Sequence, residues 1–313
     1  MAFYCPDGAL QQRLEQVIEV LSADGRPQLR DQLSVTWLCY GETPLRQRGA
    51  AARDASGFWR DAVRGASWQG ALPRYPASVV KLLYLAAAEA WLQRQLIEDS
   101  QELRRALADM IRDSSNDATA LVVDLLTGTS SGPELPPPAF AQWSRRRQLI
   151  NNWAAGLNWP EWSGCNACQK TWSDGPYGRE RQFYGAELEN RNRLSTDLTA
   201  RLLHAVMGGA LVSPAADRRM QELLERNLDP RLRAEDPDNQ VDGFLGAGLE
   251  AGDLLWSKAG WMSQARHDAA YVEPRQGEPF LLVTFSEGKE AAIDETLLPA
   301  LCRLLSATAA TAS

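Results

Sequence analysis

The sequence predicts an α/β (α+β) fold, an antiparallel sheet flanked by helices with an all-helical insertion. Three observations predict it. Strand-like runs lie near both ends of the chain, and the long middle reads as successive helices. The late strands also follow one another closely, which suits antiparallel pairing because parallel neighbours need long crossovers. The simplest packing brings both ends into one layer. That gives a discontinuous unit of residues 1–75 plus 241–313 and a helical unit of residues 76–240.

Each element has its own signal. Residues 9–22 place Leu10, Leu14, Val17, Ile18 and Leu21 on one helical face. Residues 33–40 read as a strand, and a second extended region follows around 57–69, rich in Trp, Val and Gly. Helical spacing then covers 78–96, 101–112, 116–126, 139–155, 196–207 and 214–228. The run 127–138 ends in three prolines and reads as non-helical. Residues 156–194 have no clear period, and an irregular stretch of that length in a compact chain is usually functional or disordered. Short apolar runs at 254–261, 268–273 and 280–286 read as strands, with Gln276-Gly277 marking a hairpin. A final helix is predicted over 289–306.

Composition narrows the function classes. The 313 residues carry a net charge of −7, which argues against nucleic-acid binding, a contact that needs a Lys/Arg surplus. Only four of the 33 basic residues are lysines: Lys81, Lys170, Lys258 and Lys289. Arg keeps its proton in a protein, whereas a buried Lys can lose it, so each lysine is worth locating. Two histidines without a paired spacing and a lone Cys165-x-x-Cys168 make no metal site, and no cofactor is expected. The longest apolar run, 79–92, is too short to span a bilayer. The N-terminus has no basic stretch followed by an apolar one. The expected location is cytoplasmic, or periplasmic if the N-terminus is incomplete. Oligomeric state is left open.

Three short segments carry chemistry. In Pro76-Ala-Ser78-Val-Val-Lys81, Ser78 opens an apolar helix and Lys81 follows three residues on, on the same face. Burial lowers a lysine's pKa and suits it to take a proton from a neighbouring hydroxyl. The same residues also read as a helix cap beside a lysine reaching for solvent. In Ser114-Ser115-Asn116, a turn between two helices can aim a hydroxyl and a carboxamide at one place, or can merely end one helix and cap the next. In Lys258-Ala259-Gly260-Trp261, Lys and Gly alternate onto one face of a strand, where Gly permits close approach or marks a bulge.

Taken in order, SxxK, SxN and KxG resemble the motifs of class A β-lactamases and penicillin-binding proteins. The surrounding sequence is similar too, from about residue 30 to 306, including the stretch around the second motif and Arg266-His267-Asp268 after the third. The resemblance implies a β-lactamase/transpeptidase-like fold and an acyl-enzyme route. Ser78 would be the nucleophile and Lys81 its base. Ser114 would relay a proton to the leaving nitrogen. Asn116, Lys258, Gly260 and Trp261 would bind substrate, with the backbone N–H groups of Ser78 and Trp261 forming the oxyanion hole. Lys258 would also bias Lys81 towards its neutral form.

The sequence departs from that pattern. Ala259 stands where a hydroxyl is usual, and the bulky Trp261 lies beside the acyl position. For the deacylating acid, Glu187-Leu-Glu189-Asn190 offers Glu187 or Glu189, with Glu180 as a rival. Trp143, Trp153, Trp159, Trp162 and Trp172 read as pins for the long loop, and Arg145-Arg146-Arg147 as a solvated helix face. The leading expectation is a class A β-lactamase-like serine hydrolase acting on a β-lactam or related small-molecule or peptide amide. A penicillin-binding DD-peptidase or glutaminase-type amidase is the enzyme alternative. A catalytically weak ligand-binding protein is the alternative of a different class.

Overall fold

The computed structural model describes residues 3–41, 44–46, 58–59 and 63–309. Seven strands form one sheet in the order β1-β3-β2-β7-β6-β5-β4. They are β1 (Cys5–Pro6), β2 (Leu33–Cys39), β3 (Arg64–Trp68), β4 (Glu225–Arg226), β5 (Leu254–Met262), β6 (Ala265–Glu273) and β7 (Phe280–Glu287). Strand β2 lies between β3 and β7, so the two ends of the chain share the sheet, as the spacing predicts. All pairings are antiparallel except the two-residue β1, which runs parallel to β3. Of the second extended region, Gly57 and residues 60–62 lie outside the described residues.

Two cores sandwich the sheet. Helices α1 (Gly8–Ala23) and α13 (Leu297–Ala309) cover one face. Leu33, Val35, Trp37 and Cys39 of β2 point into that core with strict alternation. A short helix α2 (Leu29–Gln32) precedes β2. On the other face lie α3 (Val80–Gln93), α4 (Gln101–Arg112), α5 (Asn116–Thr127), α9 (Thr196–Met207) and α10 (Pro214–Leu224), with Leu281, Val283 and Phe285 of β7 beneath them. Helix α3 is buried almost all round. Helix α4 is amphipathic, burying Leu103, Ala106, Leu107, Met110 and Ile111 at i, i+3, i+4, i+7 and i+8. Side-chain caps set several helix starts: Asp7 for α1, Ser100 for α4, Ser115 for α5, Ser195 for α9 and Ser213 for α10.

Several element boundaries differ from the sequence reading. The predicted helix over 139–155 is two, α6 (Pro137–Arg147) and α7 (Leu149–Gly156). The last two prolines of the 127–138 run form the first turn of α6, where a missing N–H costs nothing. The irregular stretch 156–194 contains a further helix, α8 (Gly178–Tyr184). Helix α10 stops at Leu224 and the chain turns into β4, short of the predicted end at 228; a six-residue helix, α11 (Pro230–Glu235), follows. The final helix is also two, α12 (Lys289–Ile293) and α13, because Asp294 Oδ1 accepts from the N–H groups of Thr296 and Leu297 and restarts the helix. Among the described residues no helix is long and apolar enough to cross a membrane.

Candidate active site

Ser78 lies in a 3₁₀ turn, Ala77–Val79, that runs into α3. Ala77 has φ +44°, a left-handed conformation that costs a residue with a Cβ about 1 kcal/mol or more. The surroundings hold it there. Val79 N–H donates to Pro76 O at 3.0 Å. His267 Nε2–H donates to Tyr75 O at 2.8 Å, while Nδ1 accepts from Ser286 N–H at 3.0 Å. A backbone donor at Nδ1 requires the neutral Nε2–H tautomer. Burial agrees, pushing the His267 pKa down to about 4. Strand β5 presses on the same turn: a Cβ on Gly260 would lie 2.9 Å from Ser78 N and 3.0 Å from Pro76 O. Only glycine lets the strand approach this closely.

Lys81 is fully buried on the first turn of α3. Its Nζ donates to Asn116 Oδ1 at 3.0 Å, to Ser114 Oγ at 3.3 Å and to the Ser114 carbonyl. Burial lowers its pKa to about 7. Ser114, at the α4–α5 turn, has φ +57°, which points its carbonyl and hydroxyl at the same ammonium. From the other side, Lys258 Nζ donates to Ser114 Oγ at 3.0 Å. Lys258 is also fully buried, and its pKa is pushed well below the ordinary value by burial first, then by Lys81 and Arg226. The structure thus brings Lys81, Ser114, Asn116 and Lys258 together, with the Ser114 hydroxyl between two lysines, and sets Gly260 against the turn that carries Ser78. Among the described residues the half-buried Ser78 hydroxyl has no hydrogen-bond partner.

Other predicted residues are placed differently. Trp261 is more than half exposed, and its indole donates to Ala292 O at 2.8 Å. The Ala259 methyl packs into the α1–α13 core, on the face opposite Lys258, so a hydroxyl there would enter an apolar layer. Glu187 and Glu189 are both exposed on a turn after α8, where Glu187 N–H donates to Glu189 Oε2 at 3.3 Å. Neither carboxylate touches the Ser78 cluster. Glu180 is fully buried and accepts from Arg147 at 2.5 Å and from Ser131 at 2.8 Å. Lys170 Nζ lies 3.5 Å from it, so two cations already engage this acid. Arg147 is therefore no part of a solvated face: it is wholly buried and stacks on Trp143, one turn back along α6. Trp143, Trp153, Trp159 and Trp162 pack against the cores, and Trp172 lies against Tyr177.

Sequence reasoning missed three residues behind the site. Gln240, almost fully buried, bridges α4 to β5. Arg226 donates to the carbonyls of Ile111, Arg112 and Ser257. Asp268 accepts from Leu245 N–H at 3.1 Å, and burial raises its pKa to about 7. No motif marks Gln240 or Arg226, whose partners lie far away in sequence and are mostly backbone atoms. Asp268 falls within the 266–268 segment but has no signal of its own.

A family model described as the beta-lactamase enzyme family matches residues 91–310, more than two thirds of the chain. Among solved structures, a β-lactamase from Sphaerobacter thermophilus is 14% identical, with TM-score 0.64 over 96% of this chain and 98% of that one. A β-lactamase from Chitinophaga pinensis is 15% identical, with TM-score 0.63 over 95% and 99%. A PBP-A mutant in an acyl-enzyme complex with penicillin-G is 14% identical, with TM-score 0.63 over 97% of each chain. At these identities the likeness is one of fold. No curated protein matches the sequence.

Proposed function

The chain belongs to the beta-lactamase enzyme family, and from that premise we propose a serine hydrolase that acylates Ser78 with a β-lactam or related amide and deacylates slowly. The observation that carries this reading is the Ser114 hydroxyl held between Lys81 and Lys258, at 3.3 and 3.0 Å. Lys81, with its pKa lowered to about 7, is neutral often enough to take the Ser78 proton. Ser78 Oγ then bonds to the substrate carbonyl carbon. The oxyanion that forms is received by the backbone N–H groups of Ser78 and Trp261, each such donor typically worth about 3–4 kcal/mol. As the C–N bond breaks, Ser114 gives its proton to the leaving nitrogen and regains one from Lys81.

Slow release follows from where the acids lie. Glu187 and Glu189 are exposed, and Glu180 is engaged by Arg147, so none is offered as base for the attacking water. Lacking a general base costs a step about 10²–10⁴-fold. The PBP-A mutant captured as an acyl-enzyme with penicillin-G supports the acylation half of this reading. Intact mass after incubation with a penicillin and a chromogenic cephalosporin tests the reading. A persistent adduct, absent in Ser78→Ala, is expected. Brisk turnover without an adduct would mark an ordinary lactamase. No adduct with penicillin but one with a peptide amide or ester would favour the amidase alternative.

A further inference from the structure

We infer that Gln240 is a positioning residue for Lys258, holding its ammonium on strand β5 against the Ser114 turn; this rests on the serine-hydrolase reading above. The residue is 5% exposed and its side chain makes four hydrogen bonds. Oε1 accepts from Lys258 Nζ and, at 3.2 Å, from Ala259 N–H. Nε2 donates to Ile111 O at 2.9 Å and to Arg112 O at 2.6 Å. A carboxamide of this length supplies two acceptor sites at one end and two donors at the other. Flipping it would set its donors against an ammonium and an N–H, and its oxygen against two carbonyls, so the network fixes its orientation.

The two carbonyls belong to the last turn of α4, where the helix leaves them without internal partners. Ser114 follows two residues after Arg112. Gln240 therefore ties the element carrying Ser114 to the strand carrying Lys258, alongside Arg226, which donates to the same two carbonyls and to Ser257 O; Gln240 differs in holding the Lys258 ammonium itself. It also completes the shell of Lys258, whose other acceptors are Ser114 Oγ and, at 2.8 Å, Ala259 O. The charged groups facing Lys258 are Lys81 from α3, Arg226 from β4 and Asp268 from β6. A neutral amide positions Lys258 among them without adding a negative charge that would pin its proton.

The test is a double-mutant cycle with two readouts. The first is the rate at which a fluorophosphonate probe labels Ser78, across pH, in wild type, Gln240→Leu, Lys258→Met and the double variant. Gln240→Leu should label about ten- to a hundredfold more slowly, the size of one lost charge-assisted hydrogen bond. The double variant should be no slower than Lys258→Met alone, because Gln240 acts through Lys258. The second readout is NMR titration of ¹⁵N-labelled lysine Nζ groups, only four of which exist in the chain. Gln240→Leu removes an acceptor from the ammonium, so Lys258 should titrate lower and Lys81, less repelled, higher. Lys170 and Lys289 should not move. If Gln240→Leu does not fold, Gln240→Met takes its place. Additive rates with unmoved lysine signals would overturn the assignment. Shifted lysine signals in a protein that never labels would leave Gln240 in its role and defeat the serine-hydrolase reading instead.

Discussion

Lys81 is surrounded by the oxygens of Ser114, Ser115 and Asn116, and among the described residues it has no ion pair. Burial alone brings its pKa from 10.5 to about 7, and two consequences follow. In the proposed mechanism acylation needs the neutral amine, so the labelling rate of Ser78 should climb with pH through about 7 and then level off. Lys81→Arg keeps the charge but cannot release a proton, and should cut labelling by about 10²–10⁴-fold. The same shift weakens the fold. Between pH about 7 and 10.5 the unfolded chain holds a proton that the folded one does not, so stability rises with pH across that window. Lys81→Met should therefore stabilise the protein by roughly a few kcal/mol near neutral pH, with the gain fading towards pH 10.5. A denaturant titration at several pH values reads this. An inactive variant with unchanged stability would mean that the oxygens around Lys81 already offset the cost of its burial.

At the scale of elements, the site rests on strand β5 meeting two turns, the one that carries Ser78 and the one that carries Ser114. Gly260→Ala would drive a methyl to 2.9 Å from Ser78 N and 3.0 Å from Pro76 O, and backbone atoms cannot swing aside. The expected result is a destabilisation of about 1–3 kcal/mol, as for other overpacked sites, with labelling of Ser78 lost out of proportion. Thermal melts and probe kinetics on the same variant separate the two effects, and normal labelling would show that the strand need not touch the turn. Element ends were legible where a side chain makes the boundary, as Ser100 and Ser195 do for α4 and α9. They were not legible where a distant partner makes it. Arg226 turns α10 into β4 by binding carbonyls of Ile111, Arg112 and Ser257, none of them near it in sequence.

Over the whole molecule, the sheet needs both chain ends. Helix α1 covers Val35, Trp37 and Leu282 together with α13. Deleting residues 1–28 should expose that apolar face, abolish cooperative unfolding in a circular-dichroism melt and stop labelling at Ser78, although none of the described residues among those deleted bonds to the site. A truncated chain that still melts cooperatively would show that α13 covers the face alone. The sequence by itself determined the order of the long helices and main strands, the antiparallel C-terminal strands and the three short motifs, because periodicity, caps and turn residues act over a few neighbours. The Ser78–Lys81 spacing was legible for the same reason, since both lie within one helical turn. Only the tertiary structure decided that Ser114 stands between Lys81 and Lys258, that Glu187 and Glu189 face solvent, and that Arg147, Glu180 and Gln240 are buried. A charged or amide side chain has the same appearance in sequence whether solvated or braced. Its burial is settled by partners that lie 18 residues away for Lys258 and Gln240, and 33 away for Arg147 and Glu180.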